Sequence, residues 1–406
     1  MIHRTYDLRA DLKPRRVTNA MWDYSWIYGH QPGGAFEDWD LATDQLLERG
    51  FNTVRVDACP WWVGHLDDAE GNVDLPAQPD ATWGVCANPA SHRPLPELLD
   101  FLSICSRKGI HSILSTWNKA ATGIPAGNAS DSEKLELLWR GWERVLDAVE
   151  TAGLGDSILY VDLDQEYPYF SPTQAGLRRL AAKPASTDAP EDAMEAAGRR
   201  TSSRARLWND AQLDFVHDHF NQSIARFQAR YPERRFTFSL TGFWEEARSL
   251  QLRCFDVLEL HFWIHGARFD NRTGFGLMQK DRAVSSLADY QLRVDRTLRS
   301  VRPMLMAEMH NRLAFARDWA AEIAAPLVTT EAWGPWWHMD HSEARWDWLR
   351  EWCEECMGAA ADYGLWGITP WNYAHPYWDN WRDAAWYRKV NHRFLEEDNF
   401  DPAAGS

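Results

Sequence analysis

The 406-residue chain is 45% hydrophobic and 25% charged, the balance of a globular protein with a large core. Its formal net charge of −16 argues against nucleic acid as a partner, because that binding needs clustered Lys and Arg. No run of about 18 or more apolar residues is present to span a membrane, and the opening MIHRTYDLRADLKPRR lacks the apolar stretch of a secretory signal, so a cytoplasmic location is expected.

Strand-like and helix-like segments alternate from end to end. The first strand is expected at Val17–Trp22 with a helix over 36–49, the second at Phe51–Val56 with a helix over 95–108, and the third at His111–Ser115. Ser130 and Glu133 form a capping box that opens the next helix. Its apolar positions Leu135, Leu138, Trp139, Trp142, Val145, Leu146 and Val149 share one face, and Gly153 closes it. A fourth strand is expected at Ile158–Leu163, then a helix over 208–230 and a fifth strand at Phe236–Leu240. WEEARSL leaves room for a short turn only, ahead of a sixth strand at Val257–His261 and a helix over 281–299. The seventh strand is placed at Met304–Glu308 and the eighth at Leu365–Thr369, with helices over 344–362 and 382–397.

Eight strand–helix repeats without a second compositional block predict an α/β fold, a single-domain (β/α)₈ TIM barrel over residues 1–406. The open doubly wound sheet is the competitor, but no G-x-G-x-x-G follows the first strand. Residues 171–206, rich in Ala, Pro, Ser and charge, read as a flexible insertion after strand four, either a flap at the barrel mouth or a disordered loop.

In YVDLDQEYP the acids Asp162, Asp164 and Glu166 occupy alternate positions, so a continuous strand aims all three to one side. Barrel enzymes work at the C-terminal ends of their strands, which leaves Glu166 to reach a ligand. The two deeper acids need partners, and Arg55 in NTVRVDACP is a natural one. Glu308 is the lone carboxylate at the end of the expected seventh strand, PMLMAEMHN. Strands four and seven face each other across a barrel mouth, and two carboxylates flanking one bond are what glycoside hydrolysis requires. Many of the 24 tryptophans cluster near expected strand ends, in PWW at 60–62, GPWWH at 334–338 and TPWNY at 369–373. An indole face can stack on a sugar ring, although a single Trp more often simply packs.

Other constellations say less. Cys353 and Cys356 form a C-x-x-C in a helical stretch with no second ligand pair, so they read as ordinary helix cysteines. His338, Asp340 and His341 in WWHMDH lack a strand-borne third ligand, and no metal is expected.

With GFNTVRVDACP, YVDLDQEYP, DVLELHFW, PMLMAEMH and GLWGITPWN in view, most of the chain resembles the clan A glycoside hydrolases, closest to their cellulase-like, family 5-like branch. That resemblance implies a (β/α)₈ barrel, retention of anomeric configuration, and no metal or cofactor. It assigns the acid/base to Glu166, the nucleophile to Glu308 and support of the nucleophile to Arg55, with His261 on strand six. Trp371, beside Asn372, becomes a sugar platform. Three positions depart from the family pattern: Gln165 stands where Asn is usual, Trp263 replaces a tyrosine after His261, and Trp117 with Asn118 replaces a strand-three histidine. The expected function is retaining cleavage of β-linked oligosaccharides or small glycosides, with carbohydrate as the partner. A non-catalytic sugar-binding barrel and a metal-dependent barrel hydrolase are the alternatives.

Overall fold

The computed structural model describes residues 12–78, 86, 88–119, 130–181, 208–266, 268–274, 284–336, 338, 340, 342–371 and 374–396. Eight strands make the barrel: β1 (Val17–Asp23), β2 (Thr53–Asp57), β3 (His111–Ser115), β4 (Ile158–Asp162), β5 (Phe236–Thr237), β6 (Leu258–Glu259), β7 (Leu327–Val328) and β8 (Gly367–Ile368). Each pairs in parallel with its neighbours in sequence except β5 with β6, and β8 returns to β1. Between β5 and β6 a parallel bridge from Leu240 to Leu260 closes the ring. Strands covered on both faces should be buried at every position, as β1, β2 and β4 are.

The outer ring holds α1 (Trp39–Glu48), α2 (Pro94–Arg107), α3 (Asp131–Thr151), α4 (Asp210–Arg230), α5 (Trp244–Ser249), α6 (Val284–Ile323), α7 (Asp347–Asp362) and α8 (Ala384–Glu396). The Ser130–Glu133 capping box forms as expected. Asn209 and Gln212 make a second one on α4. A short helix, Pro60–His65, lies so close on α3 that a Cβ on Gly64 would meet Leu137 O at 2.1 Å, and one on Gly141 would meet Pro60 O at 1.8 Å. Among the described residues no helix is long and apolar enough to cross a membrane.

One element differs from expectation. Met304–Glu308 is not a strand but the middle of the 40-residue α6, with Pro303 inside the helix. Val301, Leu305, Met309, Leu313 and Ala316 are buried along one helical face, whereas Met304 is exposed. A short apolar run fits a strand and a buried helix segment equally, and here helical spacing continues on both sides of it. The seventh strand is instead Leu327–Val328, inside PLVTTEAW. Of the expected insertion, 171–181 includes a short helix, Gln174–Arg179, and 182–206 lies outside the described residues.

Candidate active site

Backbone conformation marks the mouth. Asp23 (φ 39°), Cys59 (55°), Asn118 (53°), Glu166 (52°) and Phe243 (56°) all have left-handed φ at or just beyond the ends of β1 to β5. Non-glycine residues adopt that region rarely and at a cost, and such positions gather at functional sites.

Beneath the mouth lies a buried cluster of charge centred on Arg55. Its Nε and Nη2 donate to both oxygens of Asp23, each at 3.0 Å, and Nη2 also reaches Glu331 Oε1 at 2.6 Å. Nη1 donates to Thr330 Oγ1 and lies 3.6 Å from Glu259 Oε1. Burial opposes the charge on Arg55, but Asp23, Glu331 and Glu259 outweigh it and hold the guanidinium charged. Two donors orient Glu331: Arg55 and the side-chain amide of Gln165, both on Oε1.

Glu166 sits two residues past Asp164, and its backbone N–H is fixed by Ser239 Oγ at 3.0 Å. Its Oε1 is 2.8 Å from His261 Nδ1. The same ring nitrogen is 3.6 Å from Glu331 Oε2, so the imidazole stands between the two carboxylates. One ligand atom each from Glu166, His261 and Glu331 lie within 4.8 Å of one another. Burial pushes Glu331 up to about 7 against the pull of His261, with the charge of Glu166 adding to the rise. His261 goes the other way: burial disfavours its charge, but Glu331, Glu166 and Glu259 raise it to about 10. These three side chains could each offer an atom to a metal. Arg55 Nη2 already lies against the Glu331 oxygen and His261 Nδ1 against the Glu166 oxygen.

The other sequence-derived positions divide. Trp117, half-buried, donates its indole N–H to Asp23 Oδ2 at 3.0 Å and its ring lies 4.6 Å from Phe170. Asn118 donates to Asp164 Oδ1 at 2.8 Å. Arg55, Gln165, Glu166 and His261 converge on the site, and Trp263 is buried with its carbonyl tied to Arg312.

Several expectations need correction. Glu308 lies outside the barrel on α6, half-exposed and paired with Arg268, and cannot face Glu166 across the mouth. Trp371 is fully buried against Gly334 and Trp346, so it offers no open face. Arg55 makes no hydrogen bond or ion-pair contact with Asp162 or Asp164 among the described residues, although its charge pulls on Asp162. Asp162 accepts the Ser239 N–H at 2.9 Å, and burial, then Glu259, raise its pKa well above the usual range. Asp164 takes Asn118, and burial pushes it up to about 7. The strand stops at Asp162, which is why strict alternation over all three acids fails. Of the tryptophan clusters, Trp61, Trp62 and Trp371 are buried, and only Trp336 stays partly exposed among the described members. Asn372 and His341 lie outside the described residues. His338 is buried beside Trp346 and Trp348, 4.6 and 5.9 Å between ring centres. Cys353 and Cys356 are buried, free thiols on α7.

Sequence reading missed Glu331, Asp23, Glu259 and Thr330. The available signal for Glu331 was a carboxylate three residues after a Leu-Val pair, following a helix end at Ala-Ala-Pro. Because β7 contributes two ladder residues only, that signal is weak.

No curated protein sequence matches the chain. Among solved structures, a candidate glycoside hydrolase from Parabacteroides distasonis is similar at 24% identity and a TM-score of 0.74, covering 93% of each chain. A subfamily 18 member of glycoside hydrolase family 5 from Streptomyces cattleya, in complex with GlcNAc, follows at 11% identity and a TM-score of 0.50, covering 94% of this chain and 81% of its own. A variant of that kind from the same organism, holding Manβ1-4GlcNAc, gives 12% and 0.50, over 96% and 82%. At these identities the likeness is one of fold, a TIM barrel. The profile of the family described as "Cellulase-like: Sugar-binding cellulase-like" matches residues 19–395, and the chain belongs to that family.

Proposed function

We propose that this barrel is a retaining glycosidase in which Glu331 is the nucleophile and Glu166 the acid/base. The observation that carries the reading is the approach of the two carboxylates, one oxygen of each within 4.8 Å of the other. Retaining enzymes hold their pair at about 5–5.5 Å, whereas inverting ones leave roughly 6.5–9.5 Å for a water. Roles follow from surroundings. Glu331 accepts from Arg55 and Gln165 on one oxygen, donors that favour a carboxylate and leave Oε2 for attack. Glu166 lies at the rim, 8% exposed, where a leaving oxygen can reach it. Glu331 attacks the anomeric carbon while Glu166 protonates the departing oxygen; Glu166 then deprotonates the water that releases the sugar. Membership of a sugar-binding family supports a carbohydrate substrate, and β-linked oligosaccharides or small glycosides are the class proposed.

The test is Glu166→Ala assayed on two kinds of substrate. Sugar leaving groups need the proton and should lose roughly 10²–10⁴-fold in rate, while a nitrophenolate departs unaided. Azide needs no general base and should rescue the variant, giving a glycosyl azide of retained configuration. An inverted azide would reverse the assignment. Sugar binding without turnover in the wild type would favour a non-catalytic barrel.

A further inference from the structure

Glu259 ends β6, two residues before His261, and is fully buried. Its Oε1 accepts from Thr330 Oγ1 and lies 3.6 Å from Arg55 Nη1 and 3.7 Å from His261 Nε2. On the far side of the ring, Nδ1 is 2.8 Å from Glu166 Oε1 and 3.6 Å from Glu331 Oε2. Neither His261 Nε2 nor Glu259 Oε2 makes a hydrogen bond of ordinary length. The imidazole is therefore bracketed by carboxylates at both nitrogens. A neutral imidazole has one bare lone pair, and either tautomer would point it at a carboxylate. Against an ionised carboxylate on each side, the doubly protonated ring is the form that donates to both.

We propose that Glu259 is a positioning residue that keeps His261 an imidazolium, so that Nδ1–H fixes Glu166 Oε1 as an acceptor and leaves Oε2 to carry the catalytic proton. The catalytic consequence rests on the glycosidase reading; the protonation state does not. In the first step the Oε2–H bond breaks as the leaving oxygen gains its proton, and the new carboxylate charge lies against His261. In the second, a water O–H bond breaks and Oε2–H forms again. The imidazolium ends each step as it began. With a neutral ring, Nδ1 would instead accept the proton of Glu166 and turn it away from substrate.

The charged groups around the ring support the state. Asp23 on β1 and Arg55 on β2 face the cluster, as do Tyr160 and Asp162 on β4, Glu166 beyond it, Glu259 on the ring's own strand and Glu331 beyond β7. Arg55 opposes a second cation, but Asp23 grips it at two points and Glu331 at a third. Burial would raise Glu259, yet His261 and Arg55 overcome it and leave its pKa lowered.

The experiment is a ¹⁵N NMR titration of the full chain labelled at histidine, with His261 assigned by His261→Asn. In the wild type both ring nitrogens should stay protonated beyond about pH 8, well above the ordinary value of about 6.5. In Glu259→Gln, which keeps the shape and loses the charge, the midpoint should fall by about one pH unit or more. The same variant should lose about tenfold more rate on sugar than on nitrophenyl leaving groups. A wild-type His261 neutral at pH 7, or a midpoint unmoved in Glu259→Gln, overturns the proposal. Should Glu259→Gln fail to fold, the wild-type titration decides alone. Because that reading needs no turnover, an imidazolium in an inactive protein would sink the glycosidase reading and not this one.

Discussion

Glu331 and Glu308 are chemically the same side chain, and their surroundings alone separate them. Glu308 makes an exposed ion pair with Arg268, a contact worth about 0–1 kcal/mol in most proteins. Glu331 is buried with Arg55 on one oxygen and the Glu166–His261 pair nearby. Its pKa, pushed up to about 7 by burial, has a kinetic consequence. Attack requires the ionised form, so the fraction of competent enzyme grows as pH rises through that value. On a nitrophenyl glycoside, which needs little help from an acid, kcat/KM should climb up to about pH 7 and then level. An acid limb at the ordinary glutamate value, about 4.3, would contradict the placement.

Elements hold these residues through polar contacts that carry little trace in sequence pattern. Indole N–H groups tie down the backbone beyond the strand ends: Trp26 to Asp57 O at 3.0 Å, Trp62 to Lys119 O at 2.7 Å, Trp142 to Leu163 O at 3.0 Å and Trp333 to Thr369 O at 2.9 Å. These four tryptophans are buried because their N–H groups serve the backbone near strand ends. Arg312 on α6 acts similarly, donating to the carbonyls of Trp263 and His261, with its guanidinium 4.6 Å from the Trp244 ring. Burial pulls it down to about 10, and it makes no ion pair among the described residues. Arg312→Met should leave two carbonyls unsatisfied, costing about 1–3 kcal/mol, and let His261 drift, so kcat should fall more than stability alone explains. Denaturant midpoints with kcat measured on the same samples check this; unchanged kcat would make Arg312 purely structural. The strands and helices with strong periodicity were legible, as His111–Ser115 and α3 illustrate. β7 was not, because two residues of ladder followed by Thr-Thr-Glu carry too little apolar signal beside a helix whose own apolar run imitates a strand. Glu166 was singled out by its place after a clear strand, whereas Glu331, which lies near it in the structure, was passed over with β7.

At the scale of the whole molecule, the barrel brings residues distant in sequence to one point. β4 delivers Glu166, β6 His261 and β7 Glu331, while β2 sends Arg55 beneath all three. In the proposed mechanism the carboxylate after β7 forms the covalent bond to sugar. The most direct measurement traps that bond with a 2-deoxy-2-fluoro glycoside of whichever nitrophenyl sugar the protein turns over, followed by mass spectrometry of the labelled peptide. A 2-fluoro substituent slows breakdown of the glycosyl-enzyme, so the attacking residue keeps its sugar. Inactivation with one sugar attached at Glu331 is expected. A label on Glu308 or Glu166, or turnover that inverts configuration with no label at all, would contradict it.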